Sequence, residues 1–120
     1  MNNVILIGRL VRDVEYRISG SGITVANITV AIDRGYTKEA KAKAELKNEP
    51  TADFVRCIAF GKTAEFLSNY FSKGNLIAIN GKIQTRNYED KEGKKVFMTE
   101  VLIGNVEKLD WNSYKKEDDN

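Results

Sequence analysis

Two short alternations hold the residues able to do chemistry. In FVRCIAFG, 54–61, one parity collects Phe54, Arg56, Ile58 and Phe60; in LIAINGKIQTRNY, 76–88, one parity collects Ala78, Asn80, Lys82, Gln84, Arg86 and Tyr88. Successive side chains of a β-strand point to opposite faces, so each set shares a face wherever the segment is extended. Tyr36 follows the end of another extended run, and Arg34 and Lys62 complete the group. Aromatic rings stack on exposed bases at about 1–3 kcal/mol per base, largely without regard to base identity. Lysine and arginine draw phosphates and make the affinity salt-dependent. Rings interleaved with cations are therefore the minimum for holding an unpaired polynucleotide strand. A duplex reader would need charge alone, or a helix fitted to the major groove, and the sequence offers no evident basic helix.

Taken singly, each of these residues has a plainer use. Phe60 suits a core, Phe54 suits core or platform equally, and Tyr36 and Tyr88 are ordinary surface tyrosines beside polar loops. Arg56 lies among apolar neighbours, and an unpaired buried charge is costly, so it must face solvent, a carboxylate or an anion. The parity makes the case: Phe54, Arg56 and Phe60 alternate together, as do Lys82, Arg86 and Tyr88. An interface between subunits would show the same composition.

Catalytic readings find less support. The chain has no histidine, and its one cysteine, Cys57, sits in the small apolar parity Val55, Cys57, Ala59 with no histidine to activate it. Asp33 and Asp53 flank a long loop, but no third carboxylate joins them in a metal-binding pattern. GKTAEF at 61–66 lacks the upstream glycine and spacing of a phosphate loop. Neither an enzyme nor a cofactor or metal site is expected.

A chain of 120 residues makes one domain. The formal charge is +2, unevenly spread: residues 106–120 hold five acids against three lysines, leaving sixteen basic and twelve acidic residues before them. The mildly basic body suits an anionic partner. No stretch nears 18 apolar residues, so no membrane span is expected, and MNNVILIG does not read as a signal peptide.

The elements follow in order. Residues 3–11 form a strand interrupted by Gly8, where a bulge or bend is expected. Residues 14–18 form a short strand, SGSG at 19–22 a turn, and 23–33 a long β-branched strand. Residues 34–53 break the pattern: AKAKAELK has helix-forming composition but no apolar stripe and ends at Pro50, so this stretch reads as a solvated, mobile connection bearing Lys38, Lys41, Lys43 and Lys47. After the strand at 54–61, residues 63–72 form the one good helix, with Phe66, Leu67, Tyr70 and Phe71 at helical spacing, Thr63 near its start and Lys73-Gly74 at its end. The strands 76–88 and 96–106 pair as a hairpin around EDKEGKK, with Gly93 at positive φ. In the strand 76–88, Ile77, Ile79, Gly81, Ile83 and Thr85 are the face expected to be buried. Trp111 and Tyr114 are expected to pin an otherwise polar end.

Counting the first two segments as one bent strand, this order predicts an all-β fold, a five-stranded oligonucleotide-binding (OB) barrel with one short helix and a protruding β-hairpin. Another small barrel or roll would satisfy the same order.

At these residues the sequence closely resembles the bacterial and phage single-stranded DNA-binding proteins of the replication and repair type. The matching stretches are NNVILIGRLVRDVEYR, GITVANITVAIDR, ADFVRCIAFGKTAEFLSNYFSKG, INGKIQTRNYEDKEGKKVF and TEVLIGNVEKL, together spanning about 1–109, with 110–120 a short polar, mildly acidic tail. The resemblance implies a non-enzymatic, cytoplasmic OB-fold protein, acting at replication and repair sites on the nucleoid. It would bind and protect single-stranded DNA without regard to sequence during replication, recombination and repair. It implies base stacking at Tyr36, Phe54, Phe60 and Tyr88, three of them commonly tryptophan in the best-known bacterial branch. It places phosphate or groove contacts at Arg56, Lys62, Arg86 and Lys73, beside the Arg34 and Lys82 read above. It also implies a homotetramer using the N-terminal strand, 3–7, as a dimer element. Family members commonly end in a Gly/Pro/Gln-rich linker and an acidic tip with a hydrophobic pair that recruits partners. This sequence ends in KKEDDN, so recruitment of replication and repair proteins is not carried over. Two other readings stay open: an accessory module that docks proteins as well as DNA, and a structural oligomer that buries its aromatic face.

Overall fold

Runs rich in valine, isoleucine and threonine form strands because β-branched side chains pack well on a pleated surface. In a computed structural model that describes residues 1–111, they make six: β1 (Val4–Leu10), β2 (Glu15–Ile18), β3 (Thr24–Asp33), β4 (Ala52–Phe60), β5 (Leu76–Glu89) and β6 (Lys95–Lys108). Helix α1 (Lys38–Leu46) joins β3 to β4, and α2 (Gly61–Tyr70) joins β4 to β5. The strands form one sheet in the order β1-β5-β6-β4-β3-β2, with a further pairing of β1 to β3. Only β4 and β6 run parallel.

This corrects the expected five-stranded OB barrel with a single helix. The first two apolar segments are not one bent strand. β1 pairs with β5 from Val4 to Arg9 and with β3 only at Arg9 and Leu10, whereas β2 pairs with β3 alone. Gly8 does not break β1. It lets β1 pass close to β3, where a Cβ would collide with the carbonyl oxygen of Ala31.

The second helix lies in the stretch read as a mobile connection. Thr37 caps it: its Oγ1 accepts from the Ala40 N–H at 3.1 Å, and a cap of this kind is worth about 1 kcal/mol. Glu39 stands in the first turn and Lys43 in the last, both favourable to the helix dipole. Asn48, at φ 59°, ends it just before Pro50. Only Ala44 is buried, so no apolar stripe announced α1; capping and alanine content sustain it. Because α1 bears Lys38, Lys41 and Lys43, the expectation that the chain has no basic helix is also corrected.

The core gathers Leu10, Ile28, Val30, Leu67, Ile77 and Ile79 with smaller neighbours from the inward faces of the strands and from α2. Full burial of one such aliphatic side chain is worth about 1.5–3 kcal/mol. Helix α2 buries Ala64 and Leu67 and ends on buried Phe71, but Tyr70 stays exposed. Its N-cap is Phe60, without a side-chain cap; Thr63 lies inside the helix. In β5 the inward face is buried at Ile77 and Ile79, but Ile83 and Thr85 are exposed because the strand runs on past the core. The β5–β6 pairing contains a bulge. Asn80 pairs with Asn105 and Gly81 with Ile103, so Gly104 is the extra residue. Gly93 takes φ 81° in the β5–β6 turn, where Asp90 Oδ1 accepts from the N–H groups of Glu92 and Lys94, each at 2.9 Å.

The end of β6 closes against α2. Buried Lys108 lies over the rings of Phe71 and Trp111, 5.3 and 5.4 Å from their centroids, and pairs with Asp110 at 3.2 Å. Burial alone would raise the Asp110 carboxyl, but the Leu76 N–H and Lys108 outweigh it and hold Asp110 below the ordinary carboxylate range. Trp111 packs edge-on to Tyr70; Tyr114 and the rest of the tail lie outside the described residues.

Candidate nucleic-acid interface

The sheet register decides which of the singled-out residues share a surface. Directly opposed residues of an antiparallel pair point the same way. On β4, Phe54, Arg56, Ile58 and Phe60 oppose Ala31, Thr29, Asn27 and Val25 of β3. Ile58 also aligns with Leu102 of β6, which opposes Lys82 of β5. From there the outward set of β5 continues as Gln84, Arg86 and Tyr88, opposite Glu100, Met98 and Val96. The two alternations read from the sequence are therefore one outer sheet face, joined through β6.

The aromatics on this face are open. Phe54 is 67% exposed and Phe60 46%, and neither belongs to the core cluster; Tyr88 and Tyr36 are exposed as well. Between Phe54 and Phe60, Ile58 is buried and Arg56 is exposed. No ion pair to Arg56 occurs among the described residues.

Tyr36 is tied through Arg34 to Asp53, the residue before Phe54. Arg34 donates from Nη2 and Nε to Asp53 Oδ1 at 2.8 and 3.1 Å, and from Nη1 to the Tyr36 hydroxyl at 3.2 Å. The hydrogen bond from Arg34 holds the Asp53 carboxyl below its ordinary range, and the same bond raises the guanidinium pKa. Asp33 is also engaged, accepting from the Gly35 N–H at 2.6 Å. The two carboxylates flanking α1 thus serve local structure, and among the described residues no group of three or more His, Cys, Asp or Glu is placed to hold a metal.

Arg86 is held differently from Arg56. Its Nε lies 2.7 Å from Glu100 Oε1, which also accepts from Gln84 Nε2 at 3.0 Å. Glu100 is 3% exposed, a buried carboxylate on the outer face that composition gave no reason to expect. Its signal was positional: an acid across a hairpin from an alternating Gln84 and Arg86. Cys57, beneath this face, has its thiol pushed up to about 12 by burial first and by Glu100 second, so it stays protonated and inert.

Lys62 and Lys73 are not on the sheet face. Lys62 is in the first turn of α2 beside Asn105 and Val106. Lys73 follows the other end of α2, with its backbone N–H bonded to Asp13 Oδ1 at 2.8 Å. Sequence reading missed Arg12, Glu15, Asn27 and Thr29, which line a cavity of about 370 Å³ with Phe54 and Arg56. Only the β2–β3–β4 register brings them there.

The described residues form a small β-rich module, a single sheet with an open aromatic and cationic face. The chain belongs to the single-strand binding protein family, whose model matches residues 1–109. It is 42% identical over 110 residues to Single-stranded DNA-binding protein 1 of Staphylococcus aureus (strain COL), covering 92% of this chain and 62% of that protein. It is 40% identical over 110 residues to Single-stranded DNA-binding protein 2 of Listeria monocytogenes serovar 1/2a, covering 92% and 64%. The chain thus spans somewhat under two thirds of the length of these relatives.

Proposed function

We propose that this chain binds and protects single-stranded DNA without strong sequence preference, as a non-catalytic participant in replication, recombination and repair. The observation that carries the reading is the exposure of Phe54, Arg56 and Phe60 in register on one sheet face continuous with Lys82, Arg86 and Tyr88. The names of its relatives, single-stranded DNA-binding proteins, support it. Bases stack on the rings, and Arg56, Lys82 and Arg86 draw the phosphates. Arg34 orients Tyr36 at the edge of this path, while Lys62 and Lys73 lead the backbone around the two ends of α2. The cellular site is the cytoplasm, on the nucleoid, where single strands arise. No helix among the described residues is long and apolar enough to cross a membrane.

A homotetramer built through β1 completes the proposal. From Val4 to Gly8, β1 is paired on one side only, to β5, and Ile5 and Ile7 are 69% and 57% exposed. An unpaired strand edge beside open isoleucines is a template for a second copy. Ile7→Arg should shift the sedimenting species toward smaller assemblies; an unchanged distribution would remove β1 from the interface.

The deciding experiment is fluorescence anisotropy of a labelled oligo-dT at low and high salt, with unlabelled duplex as competitor. Tight binding that duplex does not displace is the expected result. Absence of binding at low salt would leave the aromatic face as an interface between proteins. Tyrosine emission from Tyr36 and Tyr88 should be quenched more than that of Trp111, which packs on Tyr70 away from the sheet face.

A further inference from the structure

The proposed face contains a place able to distinguish one base from another. Glu15 of β2 opposes Asn27 of β3, which opposes Ile58 of β4, so both polar side chains lie in the Ile58 row, next to that of Arg56. Both, with Phe54, Arg56, Arg12, Ile28 and Thr29, line the cavity of about 370 Å³, within the usual span of small-molecule sites, about 300–1,000 Å³. The Asn27 amide is half-buried and makes no hydrogen bond to any described residue. Glu15 is held only by Arg12 at 3.8 Å, with both side chains mostly exposed. A carboxylate on this face weakens general DNA affinity, and Glu15, held only by the long contact to Arg12, keeps acceptor capacity for a donor.

Resting on the single-strand reading above, we infer that Glu15 and Asn27 form a base-edge subsite beside the Phe54 platform that favours a base bearing an exocyclic amino group, and cytosine over thymine. On a pyrimidine stacked against Phe54, the cytosine N4 amino group donates to the Glu15 carboxylate, and its N3 accepts from the Asn27 amide. A carboxylate accepting from cytosine N4 is an established mode of base reading. Thymine turns its O4 carbonyl toward the same carboxylate, leaving two acceptors face to face without a proton between them. The two pyrimidines have closely similar ring area, so the comparison isolates the edge from the stacking.

The test uses a short labelled oligo-dT and a series in which each dT in turn is replaced by dC, titrated against the full chain, Glu15→Gln and Asn27→Ala. At one position dC should tighten binding about three- to ten-fold, the range expected of one hydrogen bond on a half-open surface. Glu15→Gln should abolish that preference while dT binding is kept or strengthened, because a negative charge leaves the face. Asn27→Ala should reduce the preference. A flat series with the unaltered chain, or a preference that persists in Glu15→Gln, would overturn the subsite and leave the single-strand function standing. No binding to any oligonucleotide would overturn both.

Discussion

The two halves of the outer face handle positive charge in opposite ways. On the β3–β4 half, Arg56 lies between two open phenylalanines with no carboxylate bound to it among the described residues. On the β5–β6 half, Arg86 is clamped at 2.7 Å to Glu100, whose side chain is 2% exposed. Both guanidiniums are exposed and occupy equivalent positions in their alternations, yet one is a free charge and the other is half of a pair. A free cation releases counterions when it meets a phosphate; a paired one has already given up much of that gain. On the proposed single-strand function, the second half would supply fixed geometry and the first salt-dependent attraction.

The largest effect should come from breaking the pair. Arg86→Ala leaves a buried carboxylate without its cation, which should cost about 3 kcal/mol, read as a lower denaturation midpoint at unchanged m-value. Replacing both Arg86 and Glu100 by leucine should recover most of that loss, because it removes the buried carboxylate together with its half-exposed cation. If Arg86→Ala is as stable as the parent chain, the clamp does not hold this half together.

Phe54→Ala should rank next. Its ring is mostly outside the core, so the fold should persist while DNA binding weakens by about 1–3 kcal/mol. Unfolding of this variant would show that the ring supports the sheet instead. Phe60→Ala should behave similarly, with a larger stability loss, because the Phe60 ring is less exposed than that of Phe54.

Salt dependence sharpens the contrast. Arg56→Gln should lower the slope of log K against log salt by about one. Arg86→Lys, which keeps the charge near Glu100, should change it less. Equal slopes in the two variants would erase the distinction between the halves.

The smallest effect concerns Asp53. Its folded pKa lies below the ordinary value because Arg34 bonds to the ionised form. The contribution is present above the unfolded carboxylate pKa and is lost as pH falls through the lower folded value. Arg34→Gln should return the Asp53 titration, followed by carboxyl NMR, toward the ordinary range and should free the Tyr36 ring.

Much of this surface was legible because strand periodicity is rigid: a period of two places Phe54, Arg56 and Phe60 together whatever they pair with. Stacking and charge follow from residue type. The fold was less legible. Helix α1 buries only Ala44, so it has almost no amphipathic signature, and its lysines and alanines resemble a solvated loop. Counting β1 and β2 as one strand failed because Gly8 serves a close strand crossing and not a bend. Lys62 and Lys73, close to the other candidates in type, were separated from the sheet face by the length of α2.

The sequence by itself determined which side chains share a strand face, the absence of histidine chemistry, and the block pattern that marks the family. Those properties are local, set by backbone periodicity and residue identity. Only the tertiary structure decided that the two alternations form one surface, because a parallel contact between β4 and β6 joins segments forty-four residues apart, at Cys57–Val101 and Ile58–Leu102. It likewise placed Glu100 under Arg86 and Glu15 across from Asn27. Pairing register is a relation between distant segments, fixed by which faces the core can bury.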